Sequence, residues 1–310
     1  MKRPKLKKHQ IVFLGIVLIL CLPVYLFFSH DVSVLKDRYP HDVDKKAYFP
    51  VYEFRKEVPR NWTRLKRIST YARWAIILSE DWGFYQHQGI DVEQVKIALN
   101  EMASDKRYRG ASTITQQMVK NVFLTQSRTL WRKLNEIILA RKVERAIGKD
   151  RILEVYLNCI EMGPNIFGIT QAARHYFQKH PSELRPREAA FIAMLLPSPK
   201  RYYSSFKAKK LTPFALSRVN AILIKMRMAH ILTPEEYEVA KRERYAWEKY
   251  DSIPEDLPSE IMEDMLGGTP EDLPEEGAPE VSDEVSQALE SDRGDNVREV
   301  EGADVVREHR

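Results

Sequence analysis

Cysteine is nearly absent from this chain: 310 residues hold two, Cys21 and Cys159. Cys21 lies in an apolar run and Cys159 in the body, so the two do not pair and no disulfide framework exists. No Cys/His spacing resembles a structural metal site. Strand signals are weak throughout and no internal repeat occurs. Acidic residues are scarce in the body. Residues 251–310 contain 20 Asp+Glu against 4 Lys+Arg, which leaves 45 Lys+Arg against 24 Asp+Glu in residues 1–250. The overall charge of +5 therefore hides a very basic body and a very acidic tail.

A basic body favours an anionic partner through its field. Nucleic acid is one candidate, and an anionic membrane carrying a pyrophosphate lipid is another. The N-terminus decides between them. Residues 1–10 are a basic flank, and Ile11 to Phe28 are 18 apolar residues without a charge. That is about the minimum length of a spanning helix. A cleaved signal peptide would end in small residues, whereas this run ends Leu26-Phe-Phe-Ser-His30. An uncleaved anchor over 11–28 is the expectation. The positive-inside rule then keeps residues 1–10 in the cytoplasm and sends the rest outward, which disfavours nucleic acid.

Residues 29–60, mixed in charge with prolines at 40, 50 and 59, read as a juxtamembrane linker. From Leu65 the apolar spacing turns helical, with Leu65, Ile68, Ala72, Ala75 and Ile76 at three- and four-residue steps. Thr113-Ile-Thr-Gln116 fits a capping box. Residues 129–147 predict an amphipathic helix with Leu130, Leu134, Ile137, Ile138 and Val143 as its apolar stripe. Asp150 is placed to cap the next helix, and Arg185-Pro186, Thr212-Pro213 and Thr233-Pro234 are further starts. After Tyr250 the chain is rich in Pro, Glu, Asp, Gly and Ser. Such a segment buries too little apolar surface to offset its ordering entropy, so 251–310 is expected to be a disordered acidic tail. It either recruits a basic partner or simply solvates. The fold class is mostly α with little β.

Two segments carry chemistry. Leu78-Ser-Glu-Asp-Trp-Gly-Phe-Tyr-Gln-His-Gln-Gly89 sets Glu80 and Asp81 at the end of an apolar run. Partial desolvation there would move a carboxylate toward the working pH of a general base. The bland alternative is a helix ending in solvent. Arg109-Gly-Ala-Ser-Thr-Ile-Thr-Gln-Gln117 looks like a loop entering a helix, with hydroxyls at its mouth and Lys120 one turn inside. Ser112 and Thr113 sit where helical N–H groups and the dipole would favour phosphate. Gln116, Gln117 and Lys120 can share a face, and Arg128, Arg132 and Lys133 add cations. A capped, solvated helix with ordinary lysines is the alternative. A poised carboxylate beside an anion-binding helix start suggests group transfer from a phosphate-activated donor.

Glu80-Asp81…Phe84…His87…Gly89 resembles the first signature of the peptidoglycan glycosyltransferases, which polymerise lipid II. Gly110-Ala-Ser-Thr-Ile-Thr-Gln-Gln117 resembles their second, Arg132-Lys-Leu-Asn-Glu136 their third and Arg151-Ile-Leu-Glu-Val-Tyr-Leu-Asn158 their fourth. Gly163-Pro-Asn-Ile-Phe-Gly-Ile169 with Ala172-Ala-Arg-His-Tyr-Phe177 is similar to their fifth. Asn165 stands where many relatives have Gly. The five occur in the family's order over roughly residues 65–205.

The resemblance implies a lysozyme-like, bilobed helical domain, here over 61–205, preceded by one transmembrane helix and followed by a helical extension over 206–250. It implies Glu80 as general base and Glu136 as a second catalytic carboxylate, a role compatible with intrahelical pairing of Glu136 to Arg132 and Lys133. Asp81, Ser112, Thr113, Gln116, Gln117, Lys120, Arg128, Arg132 and Lys133 would bind substrate, with Lys120 and Arg128 on the pyrophosphate. His87 and Phe84 would support the Glu80 loop, and residues 95–108 are either an interfacial lid or an ordinary loop. No metal-binding residues and no required cofactor are expected, with Mg or Mn an optional aid to the pyrophosphate. The expected partners are lipid II, the growing glycan strand, the membrane and the cell-wall synthesis machinery. The location would be the bacterial inner (cytoplasmic) membrane, single-pass, with the catalytic domain periplasmic. No Lys-Thr-Gly element of a transpeptidase occurs, and the remaining length is short for that domain. The rival functions are a glycan-cleaving enzyme on the same scaffold and a non-catalytic scaffold.

Overall fold

The computed structural model describes residues 30–44, 50–103, 112–125, 127 and 129–249. The expected basic flank, anchor and acidic tail lie outside them, as does Arg128. Among the described residues no helix is long and apolar enough to cross a membrane.

The described chain is mostly helical. Two short strands come first, β1 (Tyr39–Asp42) and β2 (Tyr52–Arg55), followed by α1 (Thr70–Glu80) and α2 (Val92–Ala103). Three helices carry the middle of the chain: α3 (Ile114–Phe123), α4 (Leu130–Ala146) and α5 (Lys149–Cys159). The strands β3 (Glu161–Gly163) and β4 (Ile166–Phe167) lead into α6 (Ile169–Phe177) and α7 (Pro186–Leu195). Two short helices, α8 (Pro199–Tyr202) and α9 (Ser204–Ala208), precede α10 (Pro213–Met228) and α11 (Pro234–Arg242). Each pair of strands is antiparallel.

Two packed groups position the site. In the first, α1 lies against α7 and α10, and α11 closes on α10 and α7. In the second, α3 packs on α4 and α5. Caps fix the phase of these helices. Ser69 accepts from the Ala72 N–H at the start of α1, and Thr113 forms the expected capping box with Gln116. Thr212 and Thr233 cap α10 and α11 ahead of their prolines. The cap of α5 is Gly148, and Asp150 falls inside its first turn instead, where a carboxylate still favours the helix dipole.

The fourth motif acts as a clasp. Glu154 accepts from Trp62 Nε1 at 2.9 Å, Arg151 Nη1 at 2.6 Å and the Leu65 N–H at 2.9 Å. Asn158 accepts from the Thr63 N–H at 2.8 Å and donates to the Thr63 carbonyl at 2.9 Å. Residues 62–65, which lead into α1, are thereby keyed to α5.

Three expectations change. Part of the linker over 29–60 is built onto the helices: Leu35 is fully buried, Arg151 donates to the Leu35 and Arg38 carbonyls, and Phe54 stacks on Phe123. Its short β1–β2 pair carries no long alternating run, so periodicity misses it. Only Val143 of the expected apolar stripe of α4 lies on its fully buried face. Asn135, Glu136, Leu139, Ala140 and Val143 point inward, whereas Leu130 is 91% and Leu134 41% exposed. The inward polar pair belongs to the site. Finally, the packing has no break at 205. α10 lies in the core against α1 and α7. Residues 243–249 fold back as well, with Tyr245 donating to the Arg187 carbonyl and stacking on Trp247.

The fifth motif turns tightly. Asn165 is left-handed (φ 59°), a conformation Asn tolerates. Gly168 has φ +80°, and a Cβ there would meet the Asn158 carbonyl oxygen at 2.4 Å. Gly168→Ala is expected to cost at least about 2 kcal/mol, seen as a lowered thermal midpoint of the purified chain.

Candidate active site

The site forms where the end of α1 meets the start of α3. Asp81, the C-cap of α1, is 7% exposed and spends both oxygens on protein. Oδ2 accepts from the Ile114 N–H at 2.9 Å, and Oδ1 contacts His87 Nε2 at 2.8 Å. His87 Nδ1 accepts from the Gly89 N–H at 3.2 Å, which leaves the ring proton on Nε2 to face Asp81. Thr113 Oγ1 donates to the Gly89 carbonyl at 2.8 Å and accepts from the Gln116 N–H. Gly89 itself has φ +82°, and a Cβ there would lie 3.1 Å from the Ala140 backbone, so the loop rests directly on α4.

This corrects the expected anion site. At the mouth of α3 the Ile114 N–H is occupied by Asp81 and the Gln116 N–H by Thr113. The anion this helix start binds is the protein's own carboxylate. Thr113 and Gln116 are both buried and joined in the cap.

Glu80, one residue before Asp81, points the other way. Its Oε2 accepts from Gln117 Nε2 at 2.7 Å, and Gln117 Oε1 accepts from the Tyr156 hydroxyl at 3.1 Å. Burial pushes the Glu80 carboxyl above its ordinary value. The Gln117 hydrogen bond and the charges of Lys120 and Lys225 act against that rise, and Asp81 adds to it. The same burial raises the Tyr156 phenol, so it stays a neutral donor.

The cations gather on Glu136, which is 3% exposed. Arg132 binds its Oε2 and Lys133 its Oε1, and Lys133 also donates to Ser112 Oγ at 3.0 Å. Lys120 is partly buried, and desolvation pushes its ammonium below the ordinary lysine value. Glu136 and Glu80 oppose that, whereas Arg132 and Lys133 reinforce it. Three cations thus face two carboxylates, and the excess positive charge suits an anionic ligand. Glu136 is ion-paired within its helix, and the pairing holds the two cations in place. Among the described residues no three His, Cys, Asp or Glu gather as a metal cage.

A sequence model of the transglycosylase family matches residues 49–227. The chain belongs to the transglycosylase family. Like its relatives, it is a glycosyltransferase enzyme. The biosynthetic peptidoglycan transglycosylase of Alcanivorax borkumensis is 34% identical over 229 residues, 74% of this chain and 91% of that protein. Its namesake from Shewanella denitrificans is 43% identical over 162 residues, 52% of this chain and 69% of that protein. Penicillin-binding protein 1A of Aquifex aeolicus is 40% identical over 182 residues, 58% of this chain and 24% of that protein.

This transglycosylase joins Glu80 to Gln117 and Tyr156, Asp81 to Ile114 and His87, and Ser112, Arg132 and Lys133 through Glu136, with the charge of Lys120 acting on both Glu80 and Glu136. Sequence reasoning missed two contributors. Tyr156 is fully buried in the core, and its hydroxyl is the polar tip that holds Gln117. Lys225 lies beyond the expected boundary at 205, and the family match includes it. Its signal was a lone cation in the apolar run Ile222-Leu223-Ile224-Lys225-Met226.

The two adjacent acids should respond oppositely to mutation. Asp81→Ala strands the Ile114 N–H and His87 and is expected to lose about 1–3 kcal/mol. Glu80→Gln removes a desolvated charge and should melt at or above the parent temperature. Thermal unfolding of both variants checks this.

Proposed function

We propose that this transglycosylase polymerises lipid II into glycan strands, transferring the growing chain from undecaprenyl pyrophosphate to the 4-hydroxyl of the next lipid II. The observation that carries this reading is a half-buried Glu80 held by Gln117 of α3, the helix that also carries Lys120 and packs on α4 with its fixed cations Arg132 and Lys133. Glu80 takes the acceptor hydroxyl proton as that oxygen attacks the anomeric carbon. The α-linked pyrophosphate leaves from the opposite face, so the centre inverts to a β linkage. Lys120, Arg132 and Lys133 neutralise the leaving group, with Arg128 as a further cation and Glu136 keeping the cluster assembled. Base catalysis of this kind contributes roughly 10²–10⁴-fold. A Mg or Mn ion accompanying the pyrophosphate would add to the same positive charge, and the chemistry here uses side chains alone.

The names of the relatives support peptidoglycan as the product class. In this reading the domain is lysozyme-like and bilobed. Residues 11–28 anchor it in the bacterial cytoplasmic membrane with the site on the outer face, where it joins the cell-wall synthesis machinery. We also propose that it lacks transpeptidase activity. The spacing Ser-x-x-Lys does occur at Ser33–Lys36 and Ser204–Lys207, but on five-residue helical turns and without a Lys-Thr-Gly element. A hydrolase on the same scaffold would leave the Lys120, Arg132 and Lys133 charge without a task, since a glycan leaving group is neutral.

Labelled lipid II tests the reading. The parent should give polymer and leave preformed glycan intact. Glu80→Gln should bind lipid II yet make no polymer, and near-normal polymer from it would refute the base. Lys120→Ala should weaken binding and turnover together. The pH profile follows from the two shifts. Glu80 must be ionised, so activity falls on acidification at a pH above the ordinary carboxylate range. Lys120 must be charged, so activity falls on alkalinisation below the ordinary lysine range. An acid limb at the ordinary glutamate value would count against the assignment.

A further inference from the structure

We propose that Lys225 is a positioning residue for Glu80: its ammonium ties down the last turn of α1 and sets the electrostatic environment in which the carboxylate works. This rests on the reading of Glu80 as the base. Lys225 comes from α10, a helix that carries none of the five motifs, and its Nζ donates to the Leu78 carbonyl at 3.2 Å. Leu78 lies in the final turn of α1, where four carbonyls have no helical partner. One of these, that of Ile77, is taken by the Asp81 N–H; Lys225 satisfies the next. Glu80 is thus fixed from both ends of its turn.

Location gives the cation a second effect. A helix C-terminus carries partial negative charge, and Glu80 sits on it next to Asp81. Both disfavour a second ionised carboxylate. Lys225 opposes them, acting with Lys120 on the ionised form of Glu80. The other groups facing Glu80 are Gln117 from α3, Asp81 and the neutral phenol of Tyr156 from α5. α7 also packs along α1, but its buried ions are engaged elsewhere: Arg187 with the Ala240 and Lys241 carbonyls, Glu188 with Lys179. Two cations from different helices, Lys120 of α3 and Lys225 of α10, therefore favour the ionised form of Glu80. Lys120 belongs to the cluster proposed for the leaving group, whereas Lys225 also donates to the Leu78 carbonyl in the last turn of α1.

The test uses the full chain in detergent with labelled lipid II. Lys225→Met keeps the aliphatic stem and removes the charge. Lys225→Gln keeps a donor for Leu78 without the charge, and Lys225→Arg keeps both. In Met and Gln variants the acid limb of the pH–rate profile should move to higher pH. Turnover should fall several-fold on the acid side and return on the alkaline plateau, with lipid II binding unchanged. Arg should restore the parent profile. A profile that superimposes on the parent in Met and Gln variants, with only the melting temperature lowered, would overturn the proposal and leave Lys225 a peg for α1. An inactive Glu80→Gln alongside such a result means that only the Lys225 assignment fails. Polymer formation by Glu80→Gln would remove the base, and the Lys225 proposal with it.

Discussion

The site depends on one buried anion. Asp81 satisfies the first free N–H of α3 and the imidazole of His87 while it ends α1. A helix start that binds an anion is most often imagined as a place for a ligand. Here it is a structural bolt between two packed groups of helices. Backbone directions diverge at a helix end, so fixing Asp81 inward turns Glu80 toward Gln117 and the cation cluster. The neighbouring acids share a sequence address and little else: Asp81 is pinned by two donors, whereas Glu80 is half-buried and accepts from the Gln117 amide.

The same division of labour recurs on α4. Its buried face carries Asn135 and Glu136 among Leu139, Ala140 and Val143. A desolvated carboxylate needs paired donors, and Arg132 and Lys133 supply them from the preceding turn. Leu130 and Trp131 are left exposed, at 91% and 57%. This helix gives up apolar burial so that charge can be fixed at the site. That explains why its apolar stripe misleads: the functional face competes with the packing face for the same positions.

Local signals were legible. The Thr113 capping box, the Thr-Pro starts of α10 and α11, and the placement of Glu80 at the end of an apolar helix follow from residue types and spacing. The five motifs pick out the elements that meet. What stayed hidden depends on distance along the chain. The clasp of Glu154 and Asn158 on residues 62–65, the docking of residues 32–55, and the reach of Lys225 to Leu78 each join segments 92 to 147 residues apart in the chain. Spacing rules describe neighbours on one helix, so a residue whose partner sits on another helix leaves only a polar interruption in an apolar run. Tyr156 and Lys225 are both of that kind.

The relay from Tyr156 through Gln117 to Glu80 has a stereochemical consequence. An ionised carboxylate can only accept, so the Gln117 amide nitrogen faces Glu80 and its oxygen is left to accept from Tyr156. That pins one oxygen of the carboxylate, Oε2, as an acceptor. In the proposed base role, Oε1 would be the oxygen that receives the acceptor proton while Oε2 stays held by Gln117, so the side chain would keep one orientation from one turnover to the next.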